Sequence, residues 1–325
     1  ATLPETLKPH FGRLEELFAW LVEPCLRFVR KNCKELVPTS DINLPVALMN
    51  IFESMIDEFR VGQEEEFAMS DKDQRVFVDC SFAFATVWSI GGTTDSAGRK
   101  KFDDFFRKLV DKRVDEKPER VDYDLGPGVA IAYPENKLSK TLPAASEGSV
   151  YDLHFDKEMG RWKNWLKVST VDTSPLNERT AFLDIIVTTI DTVRYSFIFE
   201  RSLDVMKPVL FTGHSGVGKS VVIADTMNKM VETGEWARID LSFSAQTNAK
   251  RTQETIESKL EKKKISFSDE AVDMETSEVA PLPTTALRLR RRRREYSQRR
   301  TRRRREPLPA AAPRGAPSAA PTALT

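Results

Sequence analysis

Gly213-His214-Ser215-Gly216-Val217-Gly218-Lys219-Ser220 decides the reading of this chain. These eight residues fill every fixed position of the phosphate-loop pattern G-x-x-x-x-G-K-[ST]. Each residue type has a chemical reason. The glycines let the backbone curl so that several N–H groups point at phosphate oxygens. The helix that follows sets its positive N-terminal end on the same anion. Lys219 reaches the β- and γ-phosphates as a mobile charge, and the Ser220 hydroxyl is placed to ligate Mg²⁺. His214 occupies a variable position and is read as solvent-facing or loop-packing. The ligand expected from these residues is ATP or ADP with Mg²⁺.

The flanks supply the context that the motif needs. Val209-Leu210-Phe211 reads as a short apolar strand, and a helix is expected from Lys219 to about Glu232, stopped near Gly234. Trp236 to Phe243 alternates as a second strand, and residues 248–264 form a charged helix. A further helix covers roughly Thr189 to Leu203. Magnesium-dependent hydrolysis also needs an acidic pair ending another apolar strand. No four apolar residues ending in Asp-Asp or Asp-Glu follow the loop; Ser268-Asp269-Glu270 follows a segment too short and polar. No catalytic residue is therefore assigned.

Upstream, the first 111 residues read as all-helical. Phe11, Leu14, Leu17, Phe18, Leu21, Cys25, Leu26 and Val29 recur at three- and four-residue steps within 5–36, where Pro24 is expected to kink or split the helix. Further helices are expected over about 44–59, over 71–90 up to Gly91-Gly92, and over 96–111. Residues 112–176 are punctuated by prolines, with alternating pieces such as Val129-Ala130-Ile131-Ala132-Tyr133 and an aromatic patch at Trp162 and Trp165. They read as an ordered connector with a few short strands.

Charge is segregated along the 325 residues. Residues 287–325 hold thirteen Arg and two Glu, a net of +11, and residues 266–286 hold five acids and no base, a net of −5. Because the whole chain is formally +1, residues 1–265 sum to −5. After Ile265 apolar periodicity stops, and the arginine runs 290–294 and 302–305 with an Ala/Pro-rich end read as disordered. The three cysteines, Cys25, Cys33 and Cys80, form no CxxC pair and suggest reduced thiols in a cytosolic compartment. No apolar run approaches the roughly 20 residues of a bilayer span, so no membrane partner is expected. The first residue is Ala, and the chain reads as an internal piece of a longer one or an incomplete gene model.

The residues around the loop resemble a known family. Pro208 to Gly213 with the loop and Val221-Val222-Ile223 is similar to the third AAA+ module of dynein heavy chains. So are Phe243-Ser244-Ala245-Gln246-Thr247, Arg251-Thr252-Gln253-Glu254 and the run from Ile256 to Lys262, and upstream Thr189 to Tyr195. Phe28 to Lys34, Trp88-Ser89-Ile90-Gly91 and Gly98 to Phe102 resemble the helical small subdomain of the second module. The likeness runs almost continuously from about residue 5 to 264 and is of axonemal type.

It implies an α/β fold: a P-loop NTPase (AAA+) large-subdomain fragment preceded by an all-helical lid and a connector, with a disordered Arg-rich tail. Residues 1–111 would be the lid of the second module, 112–176 the connector, 177–265 the N-terminal part of the third module, and 266–325 the acidic then Arg-rich tail. It also implies a regulatory third nucleotide site within a microtubule motor that moves towards minus ends. Adenine would rest against Ile186 and Val187. The implied partners are other dynein AAA+ modules, intermediate and light chains, and microtubules. The implied location is cytoplasm and cytoskeleton, in the axoneme of a cilium.

Past Lys264 the sequence departs from the family, which continues into an acidic strand, a sensor strand, an arginine finger and a lid. Binding with negligible turnover is the expectation for this chain, with an α/β part that exposes apolar strand edges. Two other readings stay open: a stand-alone P-loop ATPase, and a nucleic-acid-binding protein acting through twelve Arg within 288–305.

Overall fold

The computed structural model describes residues 3–59, 69–111, 125–165, 189–234 and 236–267, Glu58 and the last eight by backbone alone. They fall into two compact units, Ala1–Lys229 and Met230–Thr325. The first unit opens with a 3-10 turn, Glu5–His10, followed by four helices: α1 (Phe11–Asn32), α2 (Asn43–Ile56), α3 (Asp71–Ser89) and α4 (Ser96–Val110). A hairpin of β1 (Leu153–Asp156) and β2 (Arg161–Asn164) comes next, antiparallel with Phe155 opposite Trp162. Helix α5 (Ile190–Asp204) and helix α6 (Lys219–Glu232) flank the phosphate loop, and α7 (Ala249–Phe267) lies in the second unit.

Local chemistry sets most helix starts. Ser70 caps α3 by accepting the Asp73 N–H at 3.2 Å, and Asp95 caps α4 by accepting the Gly98 N–H at 2.7 Å. Thr189 caps α5 by accepting the Thr192 N–H at 3.2 Å, while the Thr192 hydroxyl oxygen accepts the Thr189 N–H. The apolar faces of α1 to α4 close on one core of phenylalanines. Phe28 stacks on Phe105 with centroids 4.1 Å apart, and Phe52 meets Phe82 edge-on at 5.7 Å.

Four sequence expectations change in the folded chain. Helix α1 runs unbroken through Pro24, and the change of helix type falls earlier, at His10 and Phe11. Proline withholds the N–H that the Trp20 carbonyl would accept, but Trp20, Leu21, Cys25 and Leu26 are all buried around it. Packing of that helix face outweighs the roughly 3 kcal/mol that an interior proline costs. The helical stretch Asp71–Thr93 contains an 18-residue window of mean hydropathy 1.3, which by length and composition alone could cross a bilayer, where the sequence reading expected no such run. Here it is the central core helix, almost wholly buried inside the bundle.

Past α3 the chain runs on into a 3-10 turn, Gly91–Thr93, and glycine is needed at 91 for want of space and not for a left-handed turn. A Cβ there would lie 2.6 Å from Phe102 Cε1 and from the Tyr151 hydroxyl. Finally, neither 209–211 nor 236–243 pairs as a strand; among the described residues the only ladder is β1 with β2. The 129–133 stretch also forms no strand. A strand exists only where a neighbour completes its hydrogen bonds, and no neighbour among the described residues does so. Leu210 is consequently 83% exposed and Phe243 73% exposed, the open apolar edges expected of this part. In the second unit Phe243 lines a mostly apolar groove of about 540 Å³ with Ile256 and Thr252 of α7.

Candidate nucleotide-binding site

The loop Gly213–Ser220 leaves the chain at the start of α6, where the Val222 N–H bonds back to the Gly218 carbonyl at 3.0 Å. Three of its glycines hold positive φ: Gly213 at 150°, Gly216 at 80° and Gly218 at 82°. At Gly216 and Gly218 nothing lies within 4 Å of where a Cβ would stand, so the requirement there is conformational. Lys219 folds back over the loop. Its ammonium donates to the Gly213 carbonyl at 2.9 Å and to the His214 carbonyl. The rest of the loop is exposed, His214 included.

Among the described residues no protein acceptor takes the N–H groups of Gly216 and of Gly218 to Ser220, while 215–216 form a turn; the Ser220 hydroxyl has no protein partner. The first-turn N–H groups of a helix are always left over by the helix itself. Here they sit beside a mobile ammonium and a free hydroxyl. That set of donors fits an anionic polyphosphate with a hard cation. Among the described residues no three His, Cys, Asp or Glu gather as a metal site. Ser220 is thus the one loop side chain with an oxygen to offer a cation besides Ser215.

Two helices hold the loop from behind. Phe211 packs edge-on against Phe199 of α5 at 5.3 Å. The Thr226 hydroxyl of α6 donates to the Ser196 hydroxyl of α5 at 3.0 Å. Helix α5 in turn is seated on the helical bundle and the hairpin. Its Phe197 packs on Phe84 at 6.2 Å and on Trp165 at 5.2 Å, and its Tyr195 meets Trp88 edge-on at 5.8 Å. Arg99 of α4 donates to the Tyr195 hydroxyl at 3.0 Å. Trp88 also carries two guanidinium groups over its ring, Arg99 at 5.9 Å and Arg194 at 5.6 Å. Tyr151 completes this cluster, donating to the Gly91 carbonyl at 3.0 Å; burial pushes its phenol far above the ordinary value, so it stays protonated.

The eight loop residues are consecutive, so the fold has only to give them their curl and the helix behind them. The adenine candidates Ile186 and Val187 lie outside the described residues, as do Ser268-Asp269-Glu270 and both arginine runs. What the sequence did not reveal is the seat of α5. Trp88, Arg99, Tyr151 and Arg194 come from four separate elements, and no spacing links them. Only the excess of aromatic residues at 151–165 hinted that this stretch is packed against something.

An exposed glycine loop with unspent N–H groups, a lysine folded across it and a helix opening behind it define a P-loop nucleotide-binding module. This one is joined to a helical lid. Residues 14–167 match the dynein heavy chain AAA lid domain, and residues 174–268 match the P-loop containing dynein motor region. The chain belongs to the dynein heavy chain family. It is 35% identical over 270 residues to dynein axonemal heavy chain 3 of Mus musculus, covering 81% of this chain. It is 33% identical over 260 residues to dynein axonemal heavy chain 12 of Mus musculus, covering 78% of this chain. Against dynein axonemal heavy chain 6 of Homo sapiens the figures are 32% over 249 residues and 76%. The chain spans only 6%, 8% and 5% of the length of these three relatives. The family's motor region is a nucleotide-binding one, in keeping with the loop.

Proposed function

We propose that Gly213–Ser220 binds ATP or ADP with Mg²⁺ as the regulatory nucleotide site of a third AAA+ module in an axonemal dynein motor. In this reading residues 1–111 are the lid of the second module, 112–176 the connector and 177–265 the start of the third module. The observation that carries it is the Lys219 ammonium resting on the Gly213 and His214 carbonyls, beside N–H groups that no protein atom takes. Lys219 exchanges those carbonyls for phosphate oxygens, a stronger charge-assisted contact. The open N–H groups of Gly216 and of Gly218 to Ser220 hold the phosphates in place. Ser220 would offer its hydroxyl to a Mg²⁺ ion, which would supply neutralisation of the phosphate charge. Ile186 and Val187 would face the adenine.

The parent motor would work on microtubules in the axoneme, with other AAA+ modules and with intermediate and light chains as partners. That assignment draws on the axonemal relatives and on the resemblance of the residues around the loop. Turnover by this chain alone is negligible, because no acidic pair ends an apolar strand after the loop. The test is equilibrium titration of the full chain with a fluorescent ATP analogue, with and without Mg²⁺. Binding that weakens about tenfold or more in Lys219→Ala is expected, a loss of at least 1.4 kcal/mol. Equal binding by both proteins would overturn the site. ATP turnover by the wild-type chain above the Lys219→Ala background would overturn the binding-only reading.

A further inference from the structure

Helix α5 is fastened to the helical bundle at both ends. At its start Arg194 donates to Asp152 at 3.1 Å while its guanidinium lies over Trp88. At its end the chain turns sharply. Met206 has φ 58°, and its N–H bonds to the Leu203 carbonyl at 2.9 Å; the Lys207 N–H bonds to the Ser202 carbonyl at 2.9 Å. These are the two bonds of a Schellman cap, with a methionine where glycine is the usual choice. A left-handed methionine is strained, so the surrounding structure has to hold it. The holding contact is visible one residue on: the Lys207 ammonium lies 2.9 Å from the Glu53 carboxylate of α2. The two side chains are 28% and 12% exposed, so the pair is screened less than a surface pair.

From Lys207 the chain reaches Gly213 through residues 208–212, which pair in no ladder among the described residues. Phe211 against Phe199 is their inward contact. In a sheet, a strand's neighbours would aim the loop; here the segment is held by Phe211 on Phe199 at its far end and by Lys207, the residue just before it, at the near one. We infer that Glu53 is a positioning residue for the phosphate loop, acting through Lys207. The ion pair fixes the turn at Met206, the turn fixes the path of 208–212, and that path sets how Gly213–Ser220 meets a nucleotide. This role rests on the nucleotide reading above. It makes the affinity of the loop depend on a carboxylate in the lid, 160 positions upstream of Gly213.

The test compares the full chain with Glu53→Gln, Lys207→Met and the charge-exchanged pair Glu53→Lys with Lys207→Glu. Titration with a fluorescent ATP analogue and Mg²⁺ should show each single variant binding about fivefold or more weakly, the lower end of ordinary coupling between sites. The exchanged pair should regain most of that loss, while thermal melts of the single variants stay close to wild type, which a merely structural role would not predict. In the nucleotide-free chain, amide hydrogen exchange at Met206 and Lys207 should rise in Glu53→Gln and fall back in the exchanged pair. A wild-type chain that binds no nucleotide removes the nucleotide reading and this role with it. A wild-type chain that binds, with Glu53→Gln binding equally well or exchanging no faster at Met206 and Lys207, removes this role alone.

Discussion

Replacing Asp79 by alanine should unfasten the helical bundle from the segment that follows it. The carboxylate is fully buried and accepts four hydrogen bonds: Arg13 Nε at 2.8 Å, Arg13 Nη2 at 3.1 Å, and the Ser139 N–H and hydroxyl at 2.8 and 2.6 Å. Burial works against the Arg13 charge, and Asp79 and Glu16 overcome it, holding the guanidinium above its ordinary pKa. Without Asp79, a guanidinium only 5% exposed keeps Glu16 at 2.9 Å and the carbonyls of Asn136 and Lys137. Removing one partner of a buried pair costs about 3–5 kcal/mol. The surviving Glu16 contact and the exposure of Ser139, whose donors can turn to water, put this case at about 3 kcal/mol. For a chain of this size that lowers the melting temperature by roughly 6–12 °C. Thermal melts followed by far-UV circular dichroism and tryptophan fluorescence measure it, since Trp20 and Trp88 lie in the same core. Arg13→Met with Asp79→Leu should recover most of the loss, because no charge is then stranded. A single variant melting within about 2 °C of wild type, or a double variant no better than the single, would refute the reasoning.

Two further predictions probe the same unit. Gly91→Ala forces a Cβ to 2.6 Å from Phe102 and Tyr151, both locked in the core, and should cost about 1–3 kcal/mol. Gly92→Ala, whose nearest neighbours are 3.9 Å away, should stay within about 0.5 kcal/mol of wild type; similar melts for both would sink the argument. His154 stacks on Trp165 at 4.4 Å with its Nδ1 3.2 Å from the Lys163 carbonyl. A carbonyl only accepts, so Nδ1 carries the proton. Burial holds the imidazole below its ordinary pKa. As pH falls, the unfolded chain therefore takes up the second, imidazolium-forming proton before the folded imidazole does. The stability it supports is complete above the ordinary imidazole value and is lost as pH falls from there through the lowered folded one. Denaturant melts between pH 8 and 5.5 should show a shallower pH slope for His154→Gln than for wild type; equal slopes count against the assignment.

Much of the candidate site was legible because its determinants are local. The glycines of the loop, the lysine and the start of α6 lie within eight consecutive residues, and left-handed glycine backbone needs no distant partner to be recognised. The caps at Ser70, Asp95 and Thr189 act over three residues, and the helix faces repeat at a fixed period. For the same reason the family likeness could be read from short runs on either side of the loop.

Other features depend on residues brought together from far apart. Pro24 looked like a helix breaker, and only the core packed around Trp20 and Cys25 decided that α1 continues. The segments 209–211 and 236–243 have strand-like composition, but a ladder belongs to two strands at once and composition cannot supply the second. The ties Arg13–Asp79, Trp88–Arg194 and Glu53–Lys207 join residues 66, 106 and 154 positions apart. The sequence by itself determined that this chain carries a phosphate loop of dynein type at the head of a helix. The tertiary structure alone decided what that loop is braced against, since bracing is a property of packed surfaces and not of any stretch of chain.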